Sequence, residues 1–300
     1  MATKQRSRSR RSNSSRDRSP RYVEPVLDPT WQSPYAPTTA EKLANRRAVR
    51  SFALRRTLPL SIAVAVLALS LIAGVVVMAW LPVLGVVIAG LYAWYVHGSL
   101  ETYEQRGFAL NNLMIDQFKS GGTMKDRLRL TTVLDRLAAT FGVDSVTIFI
   151  VDDSGYNAAL VPSSAGFSLF VTNSLVRDFE LIELEGVVAH CLARQRLGVL
   201  SRESVAAVAH VSDHARRALA GAGHAYRADE VAAAAIRYPL GIAGALRRCE
   251  HQRTAQGSFF ATPTYAQWRW IWFNIWSDRH ESDLADLDDV ELRARALEEW

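Results

Sequence analysis

A run of 44 residues, from Thr57 to Leu100, contains no Asp, Glu, Lys or Arg. A charge-free apolar run of this length is typical of segments that cross a lipid bilayer, and it excludes an ordinary water-soluble enzyme. One helical span needs about 20 residues, so Leu58–Val96 has room for two helices if the turn between them is short. Trp80-Leu81-Pro82 is the expected turn, because Trp favours the membrane interface and Pro stops a helix. The sequence therefore predicts a transmembrane helical hairpin over residues 57–99, with one long tilted span as the alternative.

The segment before this run is strongly basic. Residues 1–56 hold 14 Lys or Arg against 4 Asp or Glu, and the Arg/Ser-rich stretch Arg6–Arg21 has no aliphatic periodicity, so we expect a disordered tail over residues 1–56. Basic residues next to an apolar run stay on the cytoplasmic side of a membrane. The pattern predicts a multi-pass protein of the cell membrane, with the tail and residues 100–300 in the cytoplasm. The tail would contact membrane lipid or carry phosphoserines, and nucleic acid is the less expected partner.

The remaining 200 residues combine helical and strand patterns. Apolar spacing predicts a helix over Val133–Thr140, and β-branched runs predict strands over Val146–Val151 and Gly166–Thr172, with Pro162-Ser163-Ser164 as a turn. From Glu180 to Leu246 the pattern is helical. This order indicates one α+β domain over residues 100–300. The chain has two Cys, too few for a disulfide framework, which indicates a reducing compartment.

The segment ELEGVVAHCLARQRLG, residues 183–198, fits one amphipathic helix. His190 and Arg194 are four residues apart and therefore lie on the same face. In zinc peptidases this spacing carries two His ligands, with a Glu beside the first as general base. Here the spacing is present, but Cys191 and Arg194 stand where the Glu and the second His would be.

Several separated motifs then occur in a consistent order along the chain. They are Asn157-Ala158, the strand GFSLFVT, Asn173-Ser174-Leu175, ELEGVVAH, and Tyr226-Arg227-Ala228-Asp229 followed by Ile236-Arg237-Tyr238-Pro239. Together, over about residues 130–248, they resemble the HtpX-type membrane zinc metallopeptidases, relatives of the CAAX prenyl protease. The resemblance implies a gluzincin-like fold on a membrane anchor, normally acting on membrane or misfolded proteins.

The family's functional positions, transferred residue by residue, are mostly substituted. His190 matches the first zinc ligand. The general base, the second His and the third ligand, a Glu, fall on Cys191, Arg194 and Ala225. Two supporting positions are kept, at Asp229 and Arg293. A catalytic zinc needs three protein ligands and a water, so a lone His190 is insufficient, no catalytic residue is expected, and no cofactor is expected.

The resulting hypothesis is a pseudopeptidase that binds a protein or peptide partner in the former substrate cleft. We expect GFSLFVT to be the edge strand to which a peptide adds, and Arg194 to bond a carboxylate, either Asp229 or Glu230. One alternative is an active zinc metalloendopeptidase with substitute ligands from His210, His214 or His224. Another is a scaffold tethered to lipid or nucleic acid by the Arg/Ser tail.

Three further features have plain interpretations. Cys191 is expected to be a buried small hydrophobic residue rather than a nucleophile. The acidic segment Glu281–Glu299 is expected to be a solvated helix face on which Arg293 and Arg295 make local pairs. A cluster of aromatic residues is consistent with a substrate groove or a membrane-surface patch, and packing is favoured; its members are Trp268, Trp270, Trp272, Phe273 and Trp276.

Overall fold

The computed structural model describes residues 38–73, 80–143, 145–209, 212–221, 223–252, 257–275 and 288–300. The fold is α+β: mostly helical, with one small three-stranded sheet. The elements in chain order are α1 (Thr39–Ala73), α2 (Leu81–Gln117), α3 (Met124–Phe141), β1 (Val146–Val151), β2 (Ala158–Ser163), β3 (Gly166–Thr172), α4 (Asn173–Asp178), α5 (Leu181–Arg196), α6 (Leu200–Val208), α7 (Asp213–Ala220), α8 (His224–Ile236), α9 (Pro239–His251), α10 (Pro263–Trp268) and α11 (Val290–Glu298).

Helices α1 and α2 pack against each other. The Ser61 hydroxyl lies 2.8 Å from the Tyr92 hydroxyl, which joins the two helices. α1 bends by 54° between Thr39–Arg55 and Thr57–Ala73, close to Pro59. Proline has no amide hydrogen to donate four residues back, and its ring crowds the preceding turn, so a bend here is expected.

Among the described residues, no helix taken alone has both the length and the apolar character needed to cross a membrane. The two arms of α1 together satisfy both requirements, and α2 contributes a shorter apolar stretch, Pro82–Tyr95. The expected turn agrees in position with the start of α2 at Leu81, with proline in its first turn. α2 then continues without a break to Gln117, beyond the expected boundary at residue 99.

The expectation of disorder up to residue 56 is wrong for its last part, because α1 begins at Thr39. The helix start is capped reciprocally: Glu41 accepts a hydrogen bond from the Thr38 amide at 2.8 Å, and the Thr38 hydroxyl accepts from the Glu41 amide at 3.3 Å. Val49 and Ala53 are then buried in a cluster with residues of α6, α7 and α8. Residues 1–37, which hold most of the Arg/Ser tail, lie outside the described residues.

The sheet has the order β1-β3-β2, with β1 parallel and β2 antiparallel to β3. The predicted strands at Val146–Val151 and Gly166–Thr172 are confirmed. The strand β2 was not predicted, because Pro162 and Ser163 were interpreted as a turn, whereas they form the end of the strand. The strand GFSLFVT is β3, which is paired on both sides, so the expectation that it is a free edge is wrong.

Helix α5 lies in the main hydrophobic cluster, between α3, α8 and α9. All residues from Gly186 to Arg194 are buried. α9 approaches so closely that a Cβ on Gly186 would lie 2.8 Å from the Ile242 backbone nitrogen. This contact fixes the position of α5, which carries three of the predicted site residues.

Candidate functional site

His190, on α5, belongs to a fully buried chain of hydrogen bonds. Its Nδ1 lies 2.7 Å from Oδ1 of Asp229 on α8. Arg293, on α11, donates to both carboxylate oxygens of Asp229, from Nε at 2.6 Å and from a terminal nitrogen at 3.2 Å. The structure thus brings together the three residues that the sequence resemblance predicts to match a ligand and two supporting positions. Arg293 makes this long-range contact rather than the expected local pair, whereas Arg295 pairs locally with Glu291.

Burial decides the protonation state of the His190 imidazole. Burial lowers the pKa of His190 to about 4, although the Asp229 carboxylate opposes the shift. Burial alone would raise the pKa of Asp229, but the charge of Arg293 and the hydrogen bonds from His190 and Arg293 hold it below its usual range. His190 is therefore neutral near pH 7 and donates from Nδ1 to the carboxylate. Its Nε2 is buried without a hydrogen-bond partner among the described residues.

A carboxylate bonded to one nitrogen of an imidazole is the arrangement that orients metal-ligating histidines in proteins. The other nitrogen then carries the lone pair that would face a metal. His190 and Asp229 have this geometry. His190 is thus held in the orientation of a metal ligand, and further ligands would have to come from the residues around it.

Arg194 lies one helical turn from His190 and is completely buried. Its terminal nitrogen donates to Glu203 of α6 at 2.5 Å, and its Nε donates to the second carboxylate oxygen at 3.3 Å. The expected partners were Asp229 and Glu230, and that expectation is wrong. Arg293 already holds Asp229, and Glu230 is exposed.

Arg194 also donates to two backbone carbonyls, those of Trp270, at 2.6 Å, and Ile271. The guanidinium is therefore satisfied on every side by one buried carboxylate and two peptide oxygens. Glu203 was not identified from the sequence, because it lies beyond the turn between α5 and α6, where helical spacing no longer predicts contacts.

Ala225, at the third-ligand position, is buried in the first turn of α8. Its amide donates to Asp288 at 3.1 Å, and the Gly223 amide donates to the same carboxylate at 2.7 Å. Asp288 therefore satisfies the free amides at the start of α8, as a capping carboxylate does. The neighbouring His224 is held between the carbonyls of Gly221, at 2.7 Å, and Trp270, at 3.2 Å.

No group of three or more His, Cys, Asp or Glu in the described part of the chain could hold a metal ion. Of the proposed substitute ligands, His214 is exposed on α7, His224 is buried in its own hydrogen bonds, and His210 lies outside the described residues. Cys191 is completely buried in the main cluster, and burial raises the pKa of its thiol to about 12. This agrees with a packing role.

The aromatic cluster also proves to be packing in its described part: Trp268, Trp270, Trp272 and Phe273 are buried, and Trp276 lies outside the described residues. The segment 270–274 runs along the outer edge of β2. Trp272 forms an antiparallel bridge with Ala159, and the Phe273 amide donates to the Ala158 carbonyl at 2.8 Å. The Phe273 ring lies edge-on to the His190 ring, with centroids 5.0 Å apart.

Comparison with protein-family models, with curated proteins and with solved structures finds no match to this chain. The structure by itself defines an α+β protein with two adjacent buried ion pairs, Arg293–Asp229 and Arg194–Glu203, on either side of a neutral imidazole. The relation to HtpX-type peptidases is a proposal.

Proposed function

We propose that this protein is a membrane-anchored, catalytically inactive homologue of the HtpX-type zinc metallopeptidases that acts by binding a protein partner. The observation that carries this proposal is the buried Arg194–Glu203 ion pair one turn from His190. The His190–Asp229 pair supports descent from a metal site, because it has the geometry of an oriented ligand. The ion pair supports the loss of that site.

The donor set argues against a catalytic zinc. The Arg194 guanidinium at the second-ligand position has no electron pair to donate to a metal, and its charge is already paired with the Glu203 carboxylate. The methyl group of Ala225 has no electron pair to donate. With His190 as the only family ligand, the set falls short of the three that a catalytic zinc needs.

The chemistry of water activation is missing as well. At the general-base position the Cys191 thiol, with a pKa raised to about 12 by burial, stays protonated near neutral pH. A protonated thiol cannot accept a proton from an attacking water. General-base catalysis is worth about a hundredfold or more in rate, so even a weakly held metal would leave a poor enzyme.

The membrane part of the proposal is supported by exposed apolar side chains on the α1–α2 hairpin. Val66, Leu69, Val83, Val86 and Leu91 each expose 59–65% of their surface. Apolar patches of this extent mark contact with lipid or with a protein partner. We place the hairpin in the cell membrane, with residues 1–56 and 100–300 on its cytoplasmic side, because basic residues precede α1's apolar stretch.

The test is the metal content of the full chain, purified in detergent and measured by inductively coupled plasma mass spectrometry. We expect far less than one zinc per chain and no cleavage of casein with any divalent metal added. His190→Ala should leave the metal content unchanged, as should His251→Ala, whose side chain is exposed on α9. One zinc per chain, lost in His190→Ala but kept in His251→Ala, would overturn the proposal in favour of an active zinc metalloendopeptidase.

The anchor has its own test. After an alkaline carbonate wash, the full chain should stay with the membrane pellet. A variant with Leu69→Lys and Val86→Lys places two charges on the exposed apolar surface and should be released. Release of the unmodified chain under the same conditions would contradict membrane insertion.

A further inference from the structure

We infer that residues 270–274 act as an internal peptide ligand that fills the cleft between α5 and β2, and that the cleft is a site for extended, aromatic-rich peptides. The inference deepens the proposed function and rests on it, since it identifies what a partner peptide has to displace. The hydrogen bonds and ring contact that hold residues 270–274 carry this inference.

From Trp272 onward the backbone of the segment adds to the sheet as a peptide would, whereas Trp270 and Ile271 end a short 3-10 helix, Arg269–Ile271. Trp272 has extended backbone angles, φ −90° and ψ 155°. It bridges Ala159 in antiparallel orientation, and the Phe273 amide donates to the Ala158 carbonyl at 2.8 Å. β2 is bonded to β3 on its other side, so these contacts use its outer edge. Strand addition at a sheet edge is a common mode of peptide recognition.

Side chains from two separate elements bind the carbonyls of this segment. Arg194 of α5 donates to Trp270 and Ile271. Arg293 of α11 donates to the Phe273 carbonyl at 3.1 Å. Contacts to peptide oxygens recognise a backbone whatever its side chains, so the same donors suit another peptide whose backbone follows the same turn and strand.

The cleft selects an aromatic side chain at one position. The Phe273 ring is completely buried and lies at 82° to the His190 ring, an edge-to-face contact that aromatic pairs favour. The charges of Arg194 and Arg293 are balanced by Glu203 and Asp229. The ligand therefore needs no acidic residue, which agrees with the uncharged sequence Trp270-Ile271-Trp272-Phe273-Asn274.

The end of the segment is held by a clamp that can be removed without touching either ion pair. The Asn157 side chain donates to the Asn274 carbonyl at 2.8 Å and accepts from the Asn274 amide at 2.9 Å. The Tyr265 hydroxyl donates to the same carbonyl at 2.7 Å. Weakening this clamp should release the end of the segment while α5 stays folded.

The experiment is amide hydrogen exchange on the full chain in detergent micelles, comparing Asn157→Ala with the control Asn112→Ala, whose side chain is exposed on α2. Because two hydrogen bonds are lost, exchange at the Phe273 and Asn274 amides should rise about tenfold or more. Exchange at Val187 and Val188 of α5 should not change. A fluorescein-labelled peptide Arg-Trp-Ile-Trp-Phe-Asn should bind Asn157→Ala at least tenfold more tightly than the control or the unmodified chain.

Tyr265→Phe provides a milder variant if Asn157→Ala does not fold, since it removes one hydroxyl, and a threefold rise in the same amides is expected. Equal acceleration of the segment and of α5 would overturn the inference, because the segment would then be ordinary core. Release of the segment without gain of peptide binding would overturn it too, as would equally tight binding to the unmodified chain. Zinc is measured on the same samples, so failure of the proposed function is seen separately.

Discussion

The buried pair Arg194–Glu203 makes a quantitative prediction about stability. Arg194→Met removes the guanidinium from the Glu203 carboxylate, which stays buried with only the His224 imidazole, 3.5 Å away, beside it; both side chains of the Arg194–Glu203 pair are at most 1% exposed. Removing one partner of such a pair typically costs about 3–5 kcal/mol. Glu203→Met strands the guanidinium in the same way and should cost a similar amount. If the two sites were independent, the double variant would lose about 6–10 kcal/mol, comparable to the whole stability of a typical domain.

The double variant should lose much less than this sum. With both charges gone, the remaining cost comes mainly from the Ile271 carbonyl, which loses its Arg194 donor at about 1–3 kcal/mol when buried, whereas the Trp270 carbonyl still lies 3.2 Å from His224 Nε2. We therefore expect a loss of about 1–3 kcal/mol, which against a sum of about 6–10 kcal/mol gives a coupling energy of at least about 3 kcal/mol between the two positions.

The assay is a double-mutant cycle by guanidinium unfolding of the full chain in detergent, followed by tryptophan fluorescence. The matched control is the exposed pair Arg295–Glu291, replaced by Met at each position, for which the coupling should stay below about 0.5 kcal/mol. Additivity of Arg194→Met and Glu203→Met within about 0.5 kcal/mol would refute the reasoning, and with it the claim that Arg194 and Glu203 form a strongly coupled buried ion pair.

Three further predictions follow from burial and close packing. Cys191 and Cys249, with thiol pKa values raised to about 12 by burial, should resist iodoacetamide at pH 8 until the protein unfolds; labelling of Cys191 in the folded protein would contradict this. Burial lowers the pKa of His190 from 6.5 to about 4, so the unfolded state takes up the proton first as the pH falls. About 3 kcal/mol of stability, fully present above pH 6.5, should therefore be lost by about pH 4. Unfolding curves of His190→Gln measured over the same pH range should lack this loss. Gly186→Ala should destabilise by about 1–3 kcal/mol, because its Cβ would meet the α9 backbone, whereas Gly90→Ala, with nothing within 4 Å, should be neutral or stabilising in the same denaturation assay.

Local patterns predicted most of the elements correctly. Apolar spacing over Val133–Thr140 predicts the second half of α3 and its end, where Gly142 adopts the left-handed conformation, φ 67°, but not its start at Met124. β1 and β3 were expected from their β-branched runs. The strand β2 was missed because a proline near the end of a strand gives the same local pattern as a turn. The order of strands was also beyond prediction, since pairing depends on contacts between distant residues.

In the candidate site, the residues that belong to a motif were predicted, whereas their partners from other elements were not. The alignment of motifs placed His190, Asp229 and Arg293 at related positions, and the structure brings them into one hydrogen-bonded chain. The partner of Arg194 was predicted wrongly, because helical spacing identifies neighbours on one helix and not the residue that faces it from the next. Glu203 and Asp288 had no motif of their own, and only the packing of α6 and of the chain before α11 gives them a role.

Helix α1 has a consequence for any attempt to separate the two parts of this protein. Its first arm covers Ala225 and Trp270 through Val49 and Ala53, while its second arm carries exposed apolar residues. A protease that cut the chain near residue 100 would therefore remove one wall of the core beside the candidate site together with the apolar arm. Because one helix serves both, the exposed apolar hairpin and the folded core cannot be separated by a single cut.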